Sequence, residues 1–460
     1  MFKPDSLLTN STGRALFYEV ASRLPVIDFH NHVDPKPLAT NQRADNIYQL
    51  WVQHDPYKHR AMRIYGIPEA LITGKEATDY EKFLAWAECL THTVGNPLFH
   101  WSCMELQQVF GIYQLLNTSN ARRVWDASQE LLVTDKFRAL DILKGFNVEL
   151  LCTSDDLLDK LEHHQALAHT KTGVTCLPSL RGDSIVSFLP DWMGQLAIQT
   201  GIKIIDLESY KEAIVNRLDF FDQAGCLLSD HSLDAGFNYV STSESEANLL
   251  FRQVVQGGVL ALADLVRLQS HMLVYLGQQY AARQWKMQLH IGANRFTSTR
   301  LRNRLGPAGG YASIGNTVNV QAISRFLDEL DTVELLPKTI LYTLNPADNA
   351  VFASLTGSFS QDHVRGKVQF GPAWWYNDHQ EGITQQLIAL SSYGLLSASI
   401  GFTTDSRSIL SFVRHDYYRR ILCNLIGAWS EEGKLPDEQA VLEQLVANIS
   451  YHNIQNWIKK

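Results

Sequence analysis

Short apolar runs that stop at polar or charged residues recur along the whole chain. Between them lie stretches with helical spacing of apolar residues, such as 320–330 and 385–396. Strands that alternate with helices in this way pair in parallel, and eight such units predict a closed (β/α)8 barrel. An open doubly wound sheet with polar loops is the alternative. The predicted strands are residues 26–32, 148–152, 174–177, 226–228, 287–291, 339–344, 368–370 and 399–403.

Two connections between these strands are too long to be plain loops. The first, rich in tryptophan, tyrosine and helical patterning, predicts a helical insertion over the barrel mouth, and the second predicts another helical insertion. The fold class is therefore α/β, a distorted TIM-like barrel with a large helical insertion after strand 1. Its predicted regions are 1–35 (N-terminal helix and first strand), 36–147 (insertion), 148–420 (remainder of the barrel, with insertion 232–286) and 421–460 (C-terminal helices).

The first predicted strand ends in Asp28-Phe29-His30-Asn31-His32. Because strand side chains alternate, His30 and His32 point to the same side, where two neutral imidazoles can bind one divalent metal ion. The eighth strand leads to Asp405, and the first and last strands are neighbours in a closed barrel. Asp405 would complete a zinc-like or manganese-like site with open positions for Lewis-acid catalysis, zinc being favoured. Histidines that are merely hydrogen-bonded in a polar barrel mouth are the alternative.

Other candidate residues follow the remaining strands or lie in the insertion. His290 is predicted to be a further ligand or a substrate contact. Arg181 and Arg407 present planar forks suited to a carboxylate and predict a small anionic substrate, although internal salt bridges explain them nearly as well. Tyr57 could reach a substrate hydroxyl if the insertion covers the mouth, and Trp374 could line a sugar pocket. Simple packing is the alternative for both aromatic residues.

Composition narrows the functional classes. The 460 residues, 45% hydrophobic and 19% charged, are typical of a globular protein with a large core. A net charge of -8 without a long basic run predicts no nucleic-acid or membrane partner. We expect no signal peptide or membrane span, and six scattered cysteines predict reduced thiols in the cytoplasm. Without a P-loop, a GxGxxG after a strand or a GxSxG elbow, nucleotide-binding and serine-hydrolase readings lack support.

Taken together, these motifs resemble the uronate isomerase (glucuronate isomerase) family, a divergent branch of the amidohydrolase superfamily. The resemblance extends from the N-terminal helix to Trp429. It is carried by DFHNH (28–32), YKHRAM (57–62), GNPLFHW (95–101), TSDD (153–156), LEHH (161–164), LPSLR (177–181), SDH (229–231), LHIGANR (289–295), KTILYTLNP (338–346), WWYND (374–378) and TDSRSILSFVRHDYYRRILCNLIG (404–427).

The resemblance implies interconversion of D-glucuronate with D-fructuronate, of D-galacturonate with D-tagaturonate, or both. The chemistry would move a proton from C2 to C1, with a hydride shift as the alternative. It implies one divalent metal ion held by His30, His32 and Asp405. Asp405 or a metal-bound hydroxide would be the base, Tyr57 would move a hydroxyl proton, and Arg407 would stabilise the enediolate.

The resemblance implies that Arg181 and Arg295 hold the substrate, and His290 and Trp374, from their places at the strand ends, complete the expected substrate contacts. The expected partner is a small-molecule uronate sugar, and we expect a homo-oligomer.

Four residues depart from the family pattern. Pro56 stands where a histidine is common, Cys103 where histidine is typical, Leu180 where tryptophan is more usual, and Ala347 where arginine is typical. The expected metal ligands are kept, but Pro56 lies beside the expected substrate. An isomerase with an altered substrate is therefore an open alternative.

Two other functions compete with isomerisation. A metal-dependent hydrolase of the amidohydrolase superfamily would share the histidine pair and the last aspartate. Such hydrolases commonly add a Lys or Glu on the fourth strand, where this chain has Ser229-Asp230-His231. The second competitor is a catalytically silent paralogue that serves in binding or assembly. The intact metal triad argues against it.

Overall fold

Parallel strands that follow one another in chain order form the centre of the protein. The computed structural model describes residues 2–170, 172–307 and 309–460. Its strands are β1 (Val26–Asp28), β2 (Val148–Cys152), β3 (Asp155–Asp156), β4 (Thr175–Leu177), β5 (Leu180–Arg181), β6 (Leu228–Leu233), β7 (Lys286–Ile291), β8 (Ala293–Asn294), β9 (Ser313–Ile314), β10 (Thr339–Thr343) and β11 (Val368–Phe370).

The pairing order of these strands is that of a barrel. One sheet has the order β1-β2-β4 and the other β11-β10-β7-β6-β5-β3, and every pair in both is parallel. Because β3 continues β2 and β5 continues β4 after a two-residue break, the two sheets share these bent strands. The strands therefore follow chain order around the barrel, and the antiparallel pair β8-β9 lies outside that sequence.

The barrel closes through an irregular segment, residues 399–405. The backbone N–H of Asp405 donates to the carbonyl of His30 at 3.1 Å, and that of His32 donates to Ser406 at 2.8 Å. On the other side, the side chain of Gln369 donates to the carbonyl of Ala398. The predicted distorted barrel is confirmed, but the eighth strand at 399–403 is wrong as a regular strand. Positive φ angles at Gly401 (83°) and Asp405 (46°) interrupt the extended backbone that a ladder requires.

Two other strands differ from the prediction by more than one residue at an end. The first strand ends at Asp28, not at residue 32, because the following residues bond to the closing segment and to Cys152 instead of extending the ladder. The fourth predicted strand, 226–228, is observed as β6, which continues through Asp230 and His231 to Leu233. These polar residues stay in the strand because they are buried and pair in register with β7.

Helices surround the strands and fill the long connections. The α-helices are α1 (Ser11–Ala15), α2 (Pro35–Ala39), α3 (Ile47–Trp51), α4 (Pro56–Tyr65), α5 (Asp79–Leu90), α6 (Pro97–Phe110), α7 (Ala121–Leu132), α8 (Ala139–Gly145), α9 (Glu162–Ala168), α10 (Pro190–Thr200), α11 (Leu207–Gln223), α12 (Glu244–Val255), α13 (Leu262–Ala282), α14 (Thr299–Leu305), α15 (Val320–Asp331), α16 (Asn349–Leu355), α17 (Gln380–Tyr393), α18 (Val413–Glu431), α19 (Gln439–Ala447) and α20 (Asn453–Trp457). In the described part of the chain, none is long and apolar enough to cross a membrane.

The connection between β1 and β2 contains α2 to α8. Local signals explain its helices: Asp55 caps α4 ahead of Pro56, and Thr78 with Glu81 forms a capping box at α5. Its buried tryptophans join the hydrophobic core, and α6 packs against α18, which links the connection to the barrel. The helix α18 begins at Val413, inside the region predicted as barrel. The four predicted region boundaries stay a prediction.

We predict that Gly401→Ala destabilises the protein more than Gly66→Ala. Both glycines have φ near +90°, which costs an L-residue about 1–2 kcal/mol. A Cβ at Gly401 would also lie 2.4 Å from the carbonyl oxygen of Ile449, whereas a Cβ at Gly66 would meet nothing within 4 Å. Overpacking should therefore add about 1–3 kcal/mol at Gly401 alone. Thermal unfolding of both variants measures this difference, and equal midpoints would contradict it.

Candidate active site

Two histidines and one aspartate converge where the first strand meets the closing segment. Nε2 of His30 lies 3.3 Å from Oδ1 of Asp405, and Nε2 of His32 lies 3.0 Å from the same oxygen. All three ligand atoms lie within 4.8 Å of one another, so the group could hold a metal ion. His30 is buried, and His32 and Asp405 are about one-fifth exposed. The structure thus brings together the three residues that the sequence singled out as metal ligands.

The charges around this group favour an ionised carboxylate. Burial alone would raise the pKa of Asp405, but hydrogen bonds from His30 and His32 hold that pKa well below its usual value. Burial lowers the pKa of His32, as expected for a neutral imidazole that offers a lone pair. For His30 the penalty of burial is outweighed by Asp230 and Asp405, which raise its pKa. A carboxylate beside two imidazoles is a donor set suited to zinc.

His290 joins this group from the end of β7. Its ring centroid lies 4.6 Å from that of His30, and its ring stacks on Tyr342. Nδ1 of His290 lies 2.6 Å from Oδ1 of Asp230, while Nε2 is buried and has no hydrogen-bond partner in the described residues. His30, Asp230 and His290 form a second group whose ligand atoms lie within 4.8 Å of one another. A bound ion, an ordered water or a substrate atom would supply the partner that this buried nitrogen lacks.

Trp374 contacts both groups. Its indole N–H donates to Oδ2 of Asp405 at 2.7 Å, and its ring lies 4.7 Å from that of His290, centroid to centroid. The ring is buried in a core cluster, so Trp374 both packs and orients the carboxylate. Its predicted contact with substrate stays a prediction.

Tyr57 reaches the site from the insertion. Its hydroxyl donates to Oδ2 of Asp378 at 2.9 Å, and Arg414 lies 3.3 Å from the same oxygen. Asp378 lines one cavity together with His30 and Asp405, and a neighbouring groove of about 620 Å³ together with Tyr57. Burial and the charge of Asp378 raise the pKa of Tyr57 well above 10, so its hydroxyl stays protonated.

The predicted arginines differ in their surroundings. Arg181 donates to Asp183 at 3.0 Å; burial lowers its pKa, but the charges of Asp230 and Asp183 outweigh this and raise it. Burial lowers the pKa of Arg407; the charge of Asp405 opposes this, and the charge of Arg181 adds to it. Arg181 and Arg407 are thus close enough to Asp405 for its charge to act on both of them.

Arg295 is held elsewhere. It donates to Asp234 at 2.6 Å and to Ser232 at 2.9 Å. Among the described contacts none joins it to the histidines, and its substrate role stays a prediction.

Asp28 links the two segments that carry the site residues. Its carboxylate is fully buried and accepts hydrogen bonds from Thr403 Oγ1 at 2.7 Å and from the backbone N–H of Thr404 at 3.1 Å. Nε2 of His415 lies 3.0 Å from Oδ2 of Asp28, the oxygen that also accepts from Thr404. Thr403 in turn bonds the backbone of His30. The segment after β1, which carries the histidines, is thereby joined to the segment that carries Asp405.

Several of these residues were missed as site residues by the sequence analysis, although each lies in a motif it quoted. Asp28 opens DFHNH, Asp230 lies in SDH, Asp378 ends WWYND, and Arg414 and His415 lie in the last block. A charged residue next to a candidate ligand was the available signal. The pattern alone could not tell which of these charges are buried and which face solvent.

The four departures from the family pattern lie in different environments. Pro56 is the first residue of α4, next to Tyr57. Cys103 and Leu180 are buried in α6 and β5, whereas Ala347 is exposed. Pro56 is thus directly adjacent in sequence to a residue of the candidate site.

Comparison with known proteins identifies the family. A model of the glucuronate isomerase family matches residues 1–458. The chain belongs to this family. The uronate isomerase of Caldanaerobacter subterraneus subsp. tengcongensis is 42% identical over 99% of this chain and 98% of its own. That of Salmonella heidelberg is 41% identical over 98% of each chain. The protein is accordingly an isomerase.

Solved structures agree with this family. The uronate isomerase of Thermotoga maritima superposes with a TM-score of 0.94 at 29% identity and covers 100% of both chains. The glucuronate isomerase of Caulobacter crescentus superposes with a TM-score of 0.92 at 25% identity, covering 100% of this chain and 97% of its own. The isomerase fold is therefore preserved along the whole chain.

We predict that Asp405→Asn abolishes metal binding and leaves the protein folded. The amide still accepts from Trp374 but offers no charge to a cation held with the two histidines. Elemental analysis after dialysis against zinc should find no bound metal, with unchanged circular dichroism. Asp378→Asn is the control and should retain the metal, because Asp378 lies outside the converging group. A metal content unchanged in Asp405→Asn would remove that residue from the site.

Proposed function

We propose that the protein interconverts an aldose hexuronate and its ketose by moving a proton between C2 and C1. The substrates would be D-glucuronate with D-fructuronate, D-galacturonate with D-tagaturonate, or both. Membership of the glucuronate isomerase family supports the class of reaction. The observation that carries the proposal is the convergence of His30, His32 and Asp405 beside two arginines, which suits an anionic sugar with adjacent oxygens.

His30, His32 and Asp405 would hold one divalent cation, for which zinc is favoured and manganese is the alternative. Support for this fit comes from the mixed nitrogen and oxygen donor set and from the buried, unpaired Nε2 of His290 nearby. When bound, such an ion neutralises negative charge that develops on the C1 and C2 oxygens.

Asp405 is the proposed base for the proton on C2. Burial would raise its pKa, but hydrogen bonds from His30 and His32 lower it, so the carboxylate is ionised and can accept a proton, although the same hydrogen bonds make it a weaker base. Oδ2 accepts one hydrogen bond, from Trp374, and keeps a second lone pair. The indole would hold this oxygen in one orientation, so the same group can return the proton to C1.

Tyr57 and Asp378 would relay the hydroxyl proton that must pass between the two substrate oxygens. The tyrosine hydroxyl already donates to Asp378, so its oxygen can accept from a substrate hydroxyl while its own proton shifts to the carboxylate. Burial raises the pKa of Asp378 even though Arg414 opposes this, which makes Asp378 a better proton acceptor. Arg414 would limit the charge change in this buried pair.

The arginines are proposed to bind the anionic parts of the substrate. Arg407 would stabilise the enediolate, and Arg181 would bind the carboxylate, because its fork matches a planar acid. Arg295, His290 and Trp374 complete the proposed substrate contacts. We further propose that the enzyme is a homo-oligomer and that it is cytoplasmic. Its six cysteines are free and buried, which supports a reducing compartment.

We expect the zinc-loaded protein to convert D-glucuronate, D-galacturonate or both to the ketose in D2O, with deuterium at C1 of the product. Proton transfer through a carboxylate allows exchange with solvent, whereas a hydride shift does not. Nuclear magnetic resonance of the product reports the epimer used and the label together. Turnover without deuterium, even at equilibrium, would overturn the proton mechanism. No turnover with the metal bound would favour another uronate, consistent with Pro56.

We predict that Tyr57→Phe lowers kcat by about 10²-fold with little change in KM, because the relay is lost while the ring and its packing remain. Tyr376→Phe is the matched control. Its hydroxyl donates to the carbonyl of Ala312, outside the relay, so kcat should stay within a few-fold of the parent. Steady-state kinetics of both variants decide the point, and equal losses would assign Tyr57 a purely structural role.

A further inference from the structure

Three lysines stand side by side at the N-terminal end of the barrel, opposite the catalytic mouth. Lys286 is the first residue of β7, and Lys338 and Lys367 directly precede β10 and β11. In the ladder Thr339 pairs with both Met287 and Val368, so the lysines one position earlier share one level across three neighbouring strands. Adjacent strands lie about 4.8 Å apart, and like charges at such positions are destabilising.

These cations lack acidic partners. Across residues 2–170, 172–307 and 309–460, no carboxylate lies within 4.0 Å of their ammonium groups. Lys286 donates instead to the carbonyls of Gln284 and Lys459, and Lys338 donates to that of Trp457. Burial, with the charges of Lys338 and Lys460, lowers the pKa of Lys286 to about 8. Lys367 donates to the side-chain carbonyl of Gln361, so all three ammonium groups are bonded to neutral oxygens, which offset their mutual repulsion only in part.

A cavity of about 230 Å³ opens beside one of these lysines, Lys338. It is lined by Lys338, His363, Arg365, Asn453, Asn456 and Trp457, among others. Arg365 also has no carboxylate within 4.0 Å in the described chain, and its guanidinium donates to the carbonyl of Ser397. Lys338 carries three N–H donors and Arg365 carries five. In the described chain each of them donates to one protein carbonyl, so most of these donors stay free for a ligand. We call this space the basal cavity.

We propose that the basal cavity binds a small anion that carries a phosphate group. Lys338 and Arg365 supply charge and donors to the cavity, and its histidine and asparagines add polar groups. A bound dianion would offset the charges of Lys338 and Arg365, which line the cavity, and would reduce the repulsion that Lys338 exerts on the two neighbouring lysines. Free phosphate and a sugar phosphate present the same group, so the lining does not distinguish them. The site lies at the end of the barrel away from the catalytic group and is independent of it.

The test is titration of the zinc-loaded protein with inorganic phosphate and separately with glucose 6-phosphate, at constant ionic strength set by chloride. We expect a saturable rise in the thermal midpoint and a heat of binding by calorimetry. Arg365→Gln and Lys338→Gln should each weaken the apparent affinity by about tenfold or more, which is the effect of losing a charged hydrogen bond. Arg365 is exposed, so we expect Arg365→Gln to fold, and it tests the proposal even if Lys338→Gln fails to fold. Isomerase activity of Arg365→Gln should be unchanged.

Two control variants separate this site from other sources of binding. Lys144→Gln removes an exposed lysine paired with Asp141 and should bind phosphate as the parent does. Arg407→Gln removes an arginine of the catalytic mouth and should also keep the phosphate-dependent shift. The proposal would be overturned if Arg407→Gln lost the phosphate-dependent rise in the thermal midpoint while Arg365→Gln kept it. It would also be overturned if neither anion bound saturably. Binding of the sugar phosphate alone would support it and assign part of the cavity to the sugar.

Discussion

The site depends on one buried carboxylate, that of Asp28, which joins the two ends of the barrel. Thr403, Thr404 and His415 bond it, and His30 bonds Thr403 through its backbone. Burial would raise the pKa of Asp28, but His415 and the threonines lower it, so the group is ionised in the core. Removing one of these partners would cost about 1–3 kcal/mol, because a buried carboxylate would lose a hydrogen bond. The position of the histidines relative to Asp405 is therefore set by a strong and directional interaction.

The closing segment 399–405 and its bonds to Asp28 replace a regular eighth strand and make the site possible. A continuous ladder would hold Asp405 in extended backbone, whereas its φ of 46° is left-handed and sterically unfavourable for a residue with a side chain. The hydrogen bonds to His30 and from Trp374 hold the residue there. Local strain at Asp405 is thus offset by its neighbours, and the carboxylate oxygen is directed at both imidazoles. The insertion adds Tyr57, whose partner Asp378 lies on the barrel side.

Much of the architecture could be predicted from the sequence, because strand interiors are apolar and strand ends are polar. The strands at 148–152 and 368–370 agree with observation, and the helix predicted at 320–330 is observed as Val320–Asp331. The prediction failed where polar residues are buried, as in β6, and where side chains replace the ladder, as at 399–403. In the site, His30, His32 and Asp405 were predictable because strand ends of a barrel meet. Asp378 and Arg414 were not, because their charges matter only through distant partners.

By itself, the sequence determined the alternation of strands and helices, the three converging ligand types and the resemblance to an isomerase family, all of which depend on local periodicity or short motifs. Only the tertiary structure decided which charges face one another. Tyr57 and Asp378 are 321 positions apart in the chain and 2.9 Å apart in space. The alignment of Lys286, Lys338 and Lys367 likewise exists only in the pairing register of three strands. Hydrogen bonds and charge repulsion act over a few ångströms, so long-range proximity, which no local pattern encodes, decides them.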